Sequence, residues 1–163
     1  MESLTQETVR KLFDYRSDGN LIWKIKAANC VHIGDVAGGK KSDGYYVVPV
    51  CGKYRTVHRV IFLWHNGYIP DYIDHLDNDK SNNRIENLRP ATKSQNGCNR
   101  KLLRNNTSGF KGVRWHKLKS KWQSSIMFNS KAIHLGYFST PEDAYIAYCD
   151  AGRKYHGEFF NAG

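Results

Sequence analysis

A basic, polar stretch at residues 97–121 separates two segments that can each build a core of their own. The stretch carries eight Lys and Arg residues and no acidic residue, and it holds most of the net charge of +10 of this 163-residue chain. We therefore expect two small domains. A basic run alone is more often solvated surface. Phe110 and Trp115 are interleaved with these cations, however, which is typical of a segment that follows a phosphate backbone, so a nucleic-acid partner is predicted.

The composition excludes a membrane-spanning chain and a disordered one. Hydrophobic residues make up 40% and aromatic residues 13%, and no run reaches the ~18 consecutive apolar residues of a bilayer-spanning helix. Residues 1–13 lack the apolar region of a secretory signal, so we expect a cytoplasmic protein. The four widely spaced cysteines, none at zinc-finger spacing, predict free and mostly buried thiols and no zinc site.

Short strands and helices alternate in the first hundred residues, which predicts an α+β fold. Segments rich in β-branched and aromatic residues predict strands over residues 20–25, 45–51, 54–57 and 72–76. A hairpin tip is expected at Gly52-Lys53. Helices are predicted after a cap at Ser3 or Thr5, over residues 58–65 before Asn66-Gly67, and again beginning near Pro90, with a capping box at Thr92 and Gln95.

The loop at residues 77–87, DNDKSNNRIEN, consists almost wholly of turn formers. Its leading aspartates resemble the start of an EF-hand, but Asn82 occupies the required glycine position and Leu88 the position of the bidentate glutamate. A calcium loop of that kind is therefore excluded. Carboxylate, imidazole and amide side chains flank the loop at Asp74, His75, Asn87 and Asn96. Such a set can surround one cation.

Residues 57–96 closely resemble the HNH nucleases, in the version common among phage and intron homing endonucleases. The resemblance is carried by a DH pair, the pattern NNxxxNLR and a following asparagine, namely Asp74-His75, Asn82-Asn83, Asn87 and Asn96. Residues 43–59, DGYYVVPVCGKYRTVHR, resemble the hairpin and His-Arg that precede this motif. The resemblance implies a ββα-metal nuclease domain over residues 1–100, with its core motif at 57–99.

Hydrolysis of a phosphodiester needs a deprotonated water and a cation that neutralises the growing negative charge. His75 suits the first task, because an imidazole with a pKa of about 6.5 is substantially neutral at cellular pH. Asp74 and Asn96 suit the second as metal ligands, because hard oxygen atoms favour Mg²⁺, with Mn²⁺ as a substitute. The resemblance implies that Asn87 organises the loop and orients His75.

Neighbouring side chains on a strand point to opposite faces, so Asp74 is expected to face the cation and His75 the attacking water. Each residue alone has a plainer interpretation, in which the histidine belongs to the core and the asparagines are turn and cap residues. The complete set at family spacing favours the nuclease. Arg59 is a further candidate for a phosphate contact, and the role of His58 stays open.

Residues 108–161 resemble the Apetala or ethylene-response-factor DNA-binding domain, through GFKGVRW, KW, LGYF, TPEDAYIAYCDA and GEFFN. The resemblance implies a small three-stranded antiparallel sheet packed on one helix over residues 110–163, after a basic linker at 101–109. The pattern of residues in this segment predicts the same fold, three short strands followed by one helix. Asn129-Ser130 is a hairpin turn, and Thr140 with Pro141 begins a helix.

In that family the open face of the sheet enters the DNA major groove. The DNA-contacting residues predicted here are Lys111, Arg114, His116, Lys121, Gln123, Ser125, Met127, Lys131 and His134, with Arg100, Lys101 and Arg104 in the basic stretch. Arg114 is the best candidate for a bidentate guanine contact. Ser125, Met127, Ala132 and His134 replace the glutamate, arginines and tryptophan of the plant members, so a different target sequence is expected.

Together these patterns predict a site-specific, metal-dependent endonuclease of the homing type, which acts on double-stranded DNA and is encoded by a phage. The alternatives are a non-catalytic DNA-binding regulator on an HNH scaffold and an RNA-binding module. Neither a small-molecule cofactor nor a membrane partner is predicted. The choice between monomer and homodimer, and so between nicking and double-strand cleavage, stays open.

Overall fold

The protein, a computed structural model, is described over residues 3–99, 102 and 106–162. It forms two compact units, Met1–Ala91 and Thr92–Gly163.

The division between the units falls before the short helix that sequence spacing groups with the nuclease motif. That helix packs within the second unit, where the side chain of Asn161 donates to the backbone oxygen of Asn99 at the helix end. Its capping box is confirmed, because Thr92 Oγ1 accepts from Gln95 N while the Gln95 side chain accepts from Thr92 N. The functional boundaries at residues 100 and 110 remain predictions.

The first unit combines two helices with three small antiparallel sheets. The helices are α1 (Gln6–Leu12) and α2 (Val57–Asn66), and a 3-10 turn spans Ile85–Asn87. One sheet has the order β1 (Phe13–Arg16), β2 (Asn20–Trp23), β3 (Val36–Ala37). A second has the order β4 (Gly39–Lys40), β5 (Tyr46–Val50), β6 (Lys53–Thr56). The third is the pair β7 (Tyr72–His75) and β8 (Leu88–Ala91).

The core of the first unit lies where the apolar faces of both helices meet the strands. Thr5 caps α1 through its side chain, and α2 ends as predicted at Gly67, whose left-handed backbone (φ 77°) donates its N–H to Leu63 O. The fully buried side chains include Val9, Phe13, Leu21, Val60 and Ile61. This packing holds α2 in place, and with it His58 in its first turn.

One local prediction is wrong. The tip of the β5–β6 hairpin is Cys51-Gly52, because Val50 pairs with Lys53 and both tip residues have positive φ, 50° and 72°. That is the geometry of a type I′ turn. The helix predicted to begin near Pro90 begins at Lys93, after its cap at Thr92, and Pro90 itself pairs with Ile73 in β8. The loop at residues 77–87 returns the chain antiparallel to β7, and this pairing makes residues 88–91 a strand.

The second unit confirms the predicted three-stranded antiparallel sheet packed on one helix. After α3 (Lys93–Cys98), the strands β9 (Val113–His116), β10 (Lys121–Phe128) and β11 (Lys131–Phe138) precede α4 (Pro141–His156), with 3-10 turns at Lys117–Lys119 and Gly157–Phe159. The sheet order is β11-β10-β9. Asn129 and Ser130 form the predicted turn with φ of 48° and 63°, and Thr140 caps α4. The core is built around Ile126, Tyr148, Cys149 and Ala151.

The cysteines carry no disulfide, as predicted, but they are less buried than expected. Cys149 is buried, Cys30 is exposed, and Cys51 and Cys98 are half-buried. Within the described ranges, no helix has both the length and the apolar character needed to cross a membrane.

Gly152 in α4 lies against Phe160, and an added Cβ atom would overlap the phenyl ring. We expect Gly152→Ala to lower the free energy of unfolding by about 1–3 kcal/mol, because overpacking a filled core forces neighbouring groups apart. Urea unfolding of the full chain tests this. Ile146→Ala on the same helix is the control, since that side chain is 58% exposed. An equal effect of both substitutions would contradict the packing argument.

Candidate nuclease centre and sheet surface

Strand β7 places Asp74 and His75 side by side in the interior of the first unit. They are 3% and 6% exposed, and they pair across the hairpin with Arg89 and Leu88 respectively. The strand can bury both polar residues because β8 supplies Arg89 to Asp74, while α2 and the loop at residues 77–87 supply His58 and Asn83 to His75. The two central residues of the predicted nuclease motif therefore lie in a shielded and hydrogen-bonded environment.

Asp74 forms a buried ion pair with Arg89. Arg89 Nε and Nη2 donate to Asp74 Oδ2 at 2.9 and 2.8 Å, and the two side chains are only 12% and 4% exposed. The fixed guanidinium compensates the buried carboxylate, which would otherwise be costly to hold in its charged form. The carboxylate predicted to bind a metal is thus already held in one orientation by the neighbouring strand.

His75 is surrounded by aromatic and amide groups. Its Nε2 atom lies 3.4 Å from Asn83 Oδ1, and its ring centroid lies 5.1 Å from that of His58 and 6.2 Å from that of Tyr45. Burial lowers the pKa of His75, and the hydrogen bond with Asn83 and nearby carboxylates oppose this shift only in part. The imidazole is therefore mainly neutral at pH 7, the form that accepts a proton.

His58 forms the adjoining wall of this site. Burial, together with the charges of His75 and Arg59, lowers the pKa of His58 to about 3. Its Nε2 atom lies 3.5 Å from Thr56 Oγ1, and its ring lies 5.3 Å from that of Tyr45. A neutral His58 adds no positive charge beside His75. The ammonium of Lys80 lies 4.6 Å from the ring centre of Tyr45, a cation–π contact on the same wall.

The side chain of Asn87 closes the loop at residues 77–87 onto itself. Its Oδ1 accepts from Asp77 N at 3.1 Å, and its Nδ2 donates to Asp77 Oδ1 at 2.9 Å and to Asn82 O at 2.8 Å. Asp77 Oδ2 also accepts from the Asn82 side chain. Asn87 therefore ties both ends of the loop together, as an organising residue would.

The donor set suits an open cation site. In residues 3–99, 102 and 106–162, no group of three His, Cys, Asp or Glu side chains is arranged to hold a metal. Mg²⁺ needs no such cage, because it keeps several waters and binds proteins through one or two carboxylates plus substrate phosphate. Asp74 offers one such carboxylate, although Arg89 already engages it. Asp77 fits the requirement less well, because its carboxylate is engaged by the loop.

The remaining residues predicted for the nuclease motif lie in separate places. Arg59 Nη1 donates to Asp71 O at 3.1 Å, which anchors its guanidinium at the surface of the first unit. Asn96 lies half-buried on α3 in the second unit, and its predicted ligand role stands on the sequence alone. Arg100, Lys101 and Arg104 lie outside the described residues.

The open face of the second unit carries a hydrogen-bonded row with one residue from each strand. Arg114 Nε donates to Gln123 Oε1 at 3.1 Å, and Gln123 Nε2 lies 3.2 Å from His134 Nδ1. Gln123 is itself buried. The other candidates on or beside the sheet are exposed at Lys121, Met127 and Lys131 and half-buried at His116 and Ser125.

Lys111 departs from the predicted sheet surface. Its ammonium donates to the backbone oxygens of Cys98 and Asn161, and burial lowers its pKa. His116 Nδ1 accepts from Lys119 N and so caps the 3-10 turn after β9. The structure thus gives these two candidates local contacts within the second unit.

Several residues of the centre escaped sequence-based prediction. Arg89 is the arginine of the NLR pattern. Its contact with Asp74 depends on its place in β8, a strand that was not predicted from the sequence. Asn83 belongs to the quoted NN pair, where no signal separated its role from that of Asn82. Tyr45 lies in the predicted hairpin segment, and only the fold brings it to His75.

Comparisons with known proteins identify the family of this chain. The family described as HNH endonuclease matches residues 55–98. Protein 3.8 of Escherichia phage T7 is 38% identical over 82 residues, which cover 48% of this chain and 68% of that protein. An uncharacterized HNH endonuclease, L560, of Acanthamoeba polyphaga mimivirus is 34% identical over 120 residues, which cover 72% of this chain and 61% of that protein. The chain belongs to the HNH endonuclease family.

Among solved structures, one described as DNA binding and cleavage by the HNH homing endonuclease I-HmuI is similar to this chain. The similarity covers 85% of this chain and 76% of that one, at 20% sequence identity and a TM-score of 0.42. The family match itself ends at residue 98. The Apetala-type resemblance of the second unit therefore remains a prediction.

Proposed function

We propose that this chain is a site-specific DNA endonuclease of the homing type, which hydrolyses phosphodiester bonds with His75 as the general base and a divalent cation at Asp74. The observation that carries the proposal is the buried imidazole of His75 next to a buried carboxylate on the same strand. Mg²⁺ is the preferred cation, because oxygen ligands and retained water suit it, and Mn²⁺ is a substitute.

His75 accepts a proton from the attacking water as the water oxygen forms a bond to phosphorus. The bond from phosphorus to the 3′ oxygen breaks, and solvent supplies the proton that this leaving oxygen takes up. When bound, the cation supplies positive charge to the phosphate and the leaving oxygen. Asp74 would hold the cation in the first unit, and Asn87 holds the loop that contains Asn83. The ligand role predicted for Asn96 stands on the sequence alone.

The second unit is proposed to choose the site on double-stranded DNA. Its sheet presents Arg114, Lys121, Met127, Lys131 and His134 at an exposed surface. Exposed lysines add sequence-independent attraction to phosphates, and we propose the same role for the basic residues Arg100, Lys101 and Arg104. A guanidinium held by a buried acceptor, as Arg114 is by Gln123, is suited to direct readout of guanine.

The Asp74–Arg89 ion pair favours one alternative, a DNA-binding regulator that keeps the nuclease fold without catalysis. An internal guanidinium already neutralises the only carboxylate that β7 provides. In that case the chain would bind DNA in a salt-dependent manner and leave it intact.

Cleavage of supercoiled plasmid DNA that carries the flanking genomic sequence of the gene distinguishes these functions. With Mg²⁺, the endonuclease converts the plasmid to open circles if it acts as a single site, or to linear product if two sites act together. EDTA should abolish the conversion. Salt-sensitive binding without cleavage, in both Mg²⁺ and Mn²⁺, would support the regulator instead.

Arg114→Ala is expected to relax the choice of site. Loss of a bidentate guanine contact removes about 1–3 kcal/mol of discrimination against the wrong base. Affinities for duplexes with single guanine replacements provide the measurement. Lys131→Ala is the control, because loss of a phosphate contact weakens binding to all sequences alike. Equal losses of discrimination in the two variants would contradict a base contact by Arg114.

A further inference from the structure

Asn83 is a hydrogen-bonding partner of the His75 imidazole. Both residues are buried, at 6% and 4% exposure, and Asn83 Oδ1 lies 3.4 Å from His75 Nε2. An amide oxygen only accepts hydrogen bonds, so this contact requires the proton on Nε2. The matching neutral tautomer carries its lone pair on Nδ1, and that nitrogen is then the one that accepts a proton.

Asn87 acts elsewhere in the loop. Its oxygen and its amide group bond to Asp77 and to the backbone of Asn82. The contact with Asn82 O positions the peptide group that precedes Asn83. Asn87 therefore influences the imidazole indirectly, through the conformation of the loop. Asn87 thus maintains the conformation of the loop, whereas Asn83 contacts the imidazole of His75 directly.

The β1–β2 hairpin supports the segment that carries Asn83. Gly19, at φ 89°, approaches so closely that an added Cβ atom would lie 2.6 Å from Arg84 N and 2.8 Å from Asn83 C. Tyr15 Oη accepts from Ile85 N at 3.1 Å. Two contacts from one hairpin thus fix the backbone on the C-terminal side of Asn83.

We propose that Asn83, supported by Tyr15 and Gly19, is the positioning residue that sets the tautomer of His75. The proposal rests on the proposed function for its effect on cleavage, but the tautomer itself does not depend on catalysis. Residues that hydrogen-bond and orient a metal-ligating imidazole change activity by about 10–100-fold when they are removed, and we expect a similar factor for the imidazole of a general base. Asn83→Leu is therefore expected to lower kcat by about that factor with little change in KM.

Asn83→Asp keeps an acceptor at the same position and should recover most of the lost rate. Asn66→Leu, at the exposed end of α2, is the matched control and should cleave at the wild-type rate. Tyr15→Phe removes the acceptor of the Ile85 amide while it keeps the ring, so hydrogen exchange of that amide should become several-fold faster.

Imidazole ¹⁵N NMR of the full-length, metal-free protein reads the tautomer directly. Wild type and Asn83→Asp should show His75 protonated on Nε2, and Asn83→Leu should show a mixture of both tautomers. An Nδ1-protonated His75 in the wild type, or an unchanged tautomer in Asn83→Leu, would overturn the proposal. Failure of the wild type to cleave any DNA would overturn the proposed function, while the NMR result would still decide the role of Asn83.

Discussion

His75→Ala is expected to lower the rate of DNA cleavage by about 10²–10⁴-fold, the range that a general base contributes. His75 is the residue whose burial favours a neutral imidazole and whose neighbour on β7 is a buried carboxylate. Removal of the ring leaves the attacking water without an acceptor for its proton. Single-turnover cleavage of a plasmid in saturating Mg²⁺ gives the rate.

DNA binding should survive this substitution, because the proposed phosphate and base contacts lie on other residues. His32→Ala is the matched control, since that imidazole is 73% exposed and pairs only with Asp35 in a surface loop. Circular dichroism and fluorescence anisotropy measure whether folding and DNA binding persist in the variant. Cleavage by His75→Ala at the rate of the His32→Ala control would rule out His75 as the base.

The sequence predicted most accurately those elements that local chemistry determines. The end of α2 at Asn66-Gly67, the turn at Asn129-Ser130 and the caps at Thr92 and Thr140 all follow from residues a few positions apart. The three-stranded sheet with its helix was predictable for the same reason. Strand β8 was not, because its four residues have no alternating pattern and are held by pairing with β7 across the loop.

Of the candidate centre, the sequence predicted the candidate side chains but not their surroundings. Asp74, His75 and Asn87 stood out as residue types that suit hydrolysis at recognisable spacing. The ion pair with Arg89, the wall formed by His58 and the acceptor at Asn83 depend on long-range pairing and burial. Those contacts decide the charge and tautomer of each group, which no count of residues along the chain reveals.

Arg89→Ala is expected to lower the free energy of unfolding by about 3–5 kcal/mol, the effect of removing one partner from a buried ion pair. Arg89 and Asp74 have side chains only 12% and 4% exposed, so little water can replace the guanidinium. The effect arises from the carboxylate that is left behind rather than from the lost arginine. Urea unfolding at pH 7 measures it.

The double variant Asp74→Asn with Arg89→Ala tests that reasoning, because it removes the charge that Arg89 compensates. It should be more stable than Arg89→Ala alone, although two groups are changed instead of one. Arg16→Ala is the control for loss of an arginine: its pair with Asp18 is 53% and 40% exposed, and such surface pairs contribute about 0–1 kcal/mol. If Arg89→Ala were no more destabilising than Arg16→Ala, Asp74 would have to be hydrated in the folded protein. A hydrated Asp74 would be more accessible to the proposed cation, so the same measurement also bears on the proposed metal site.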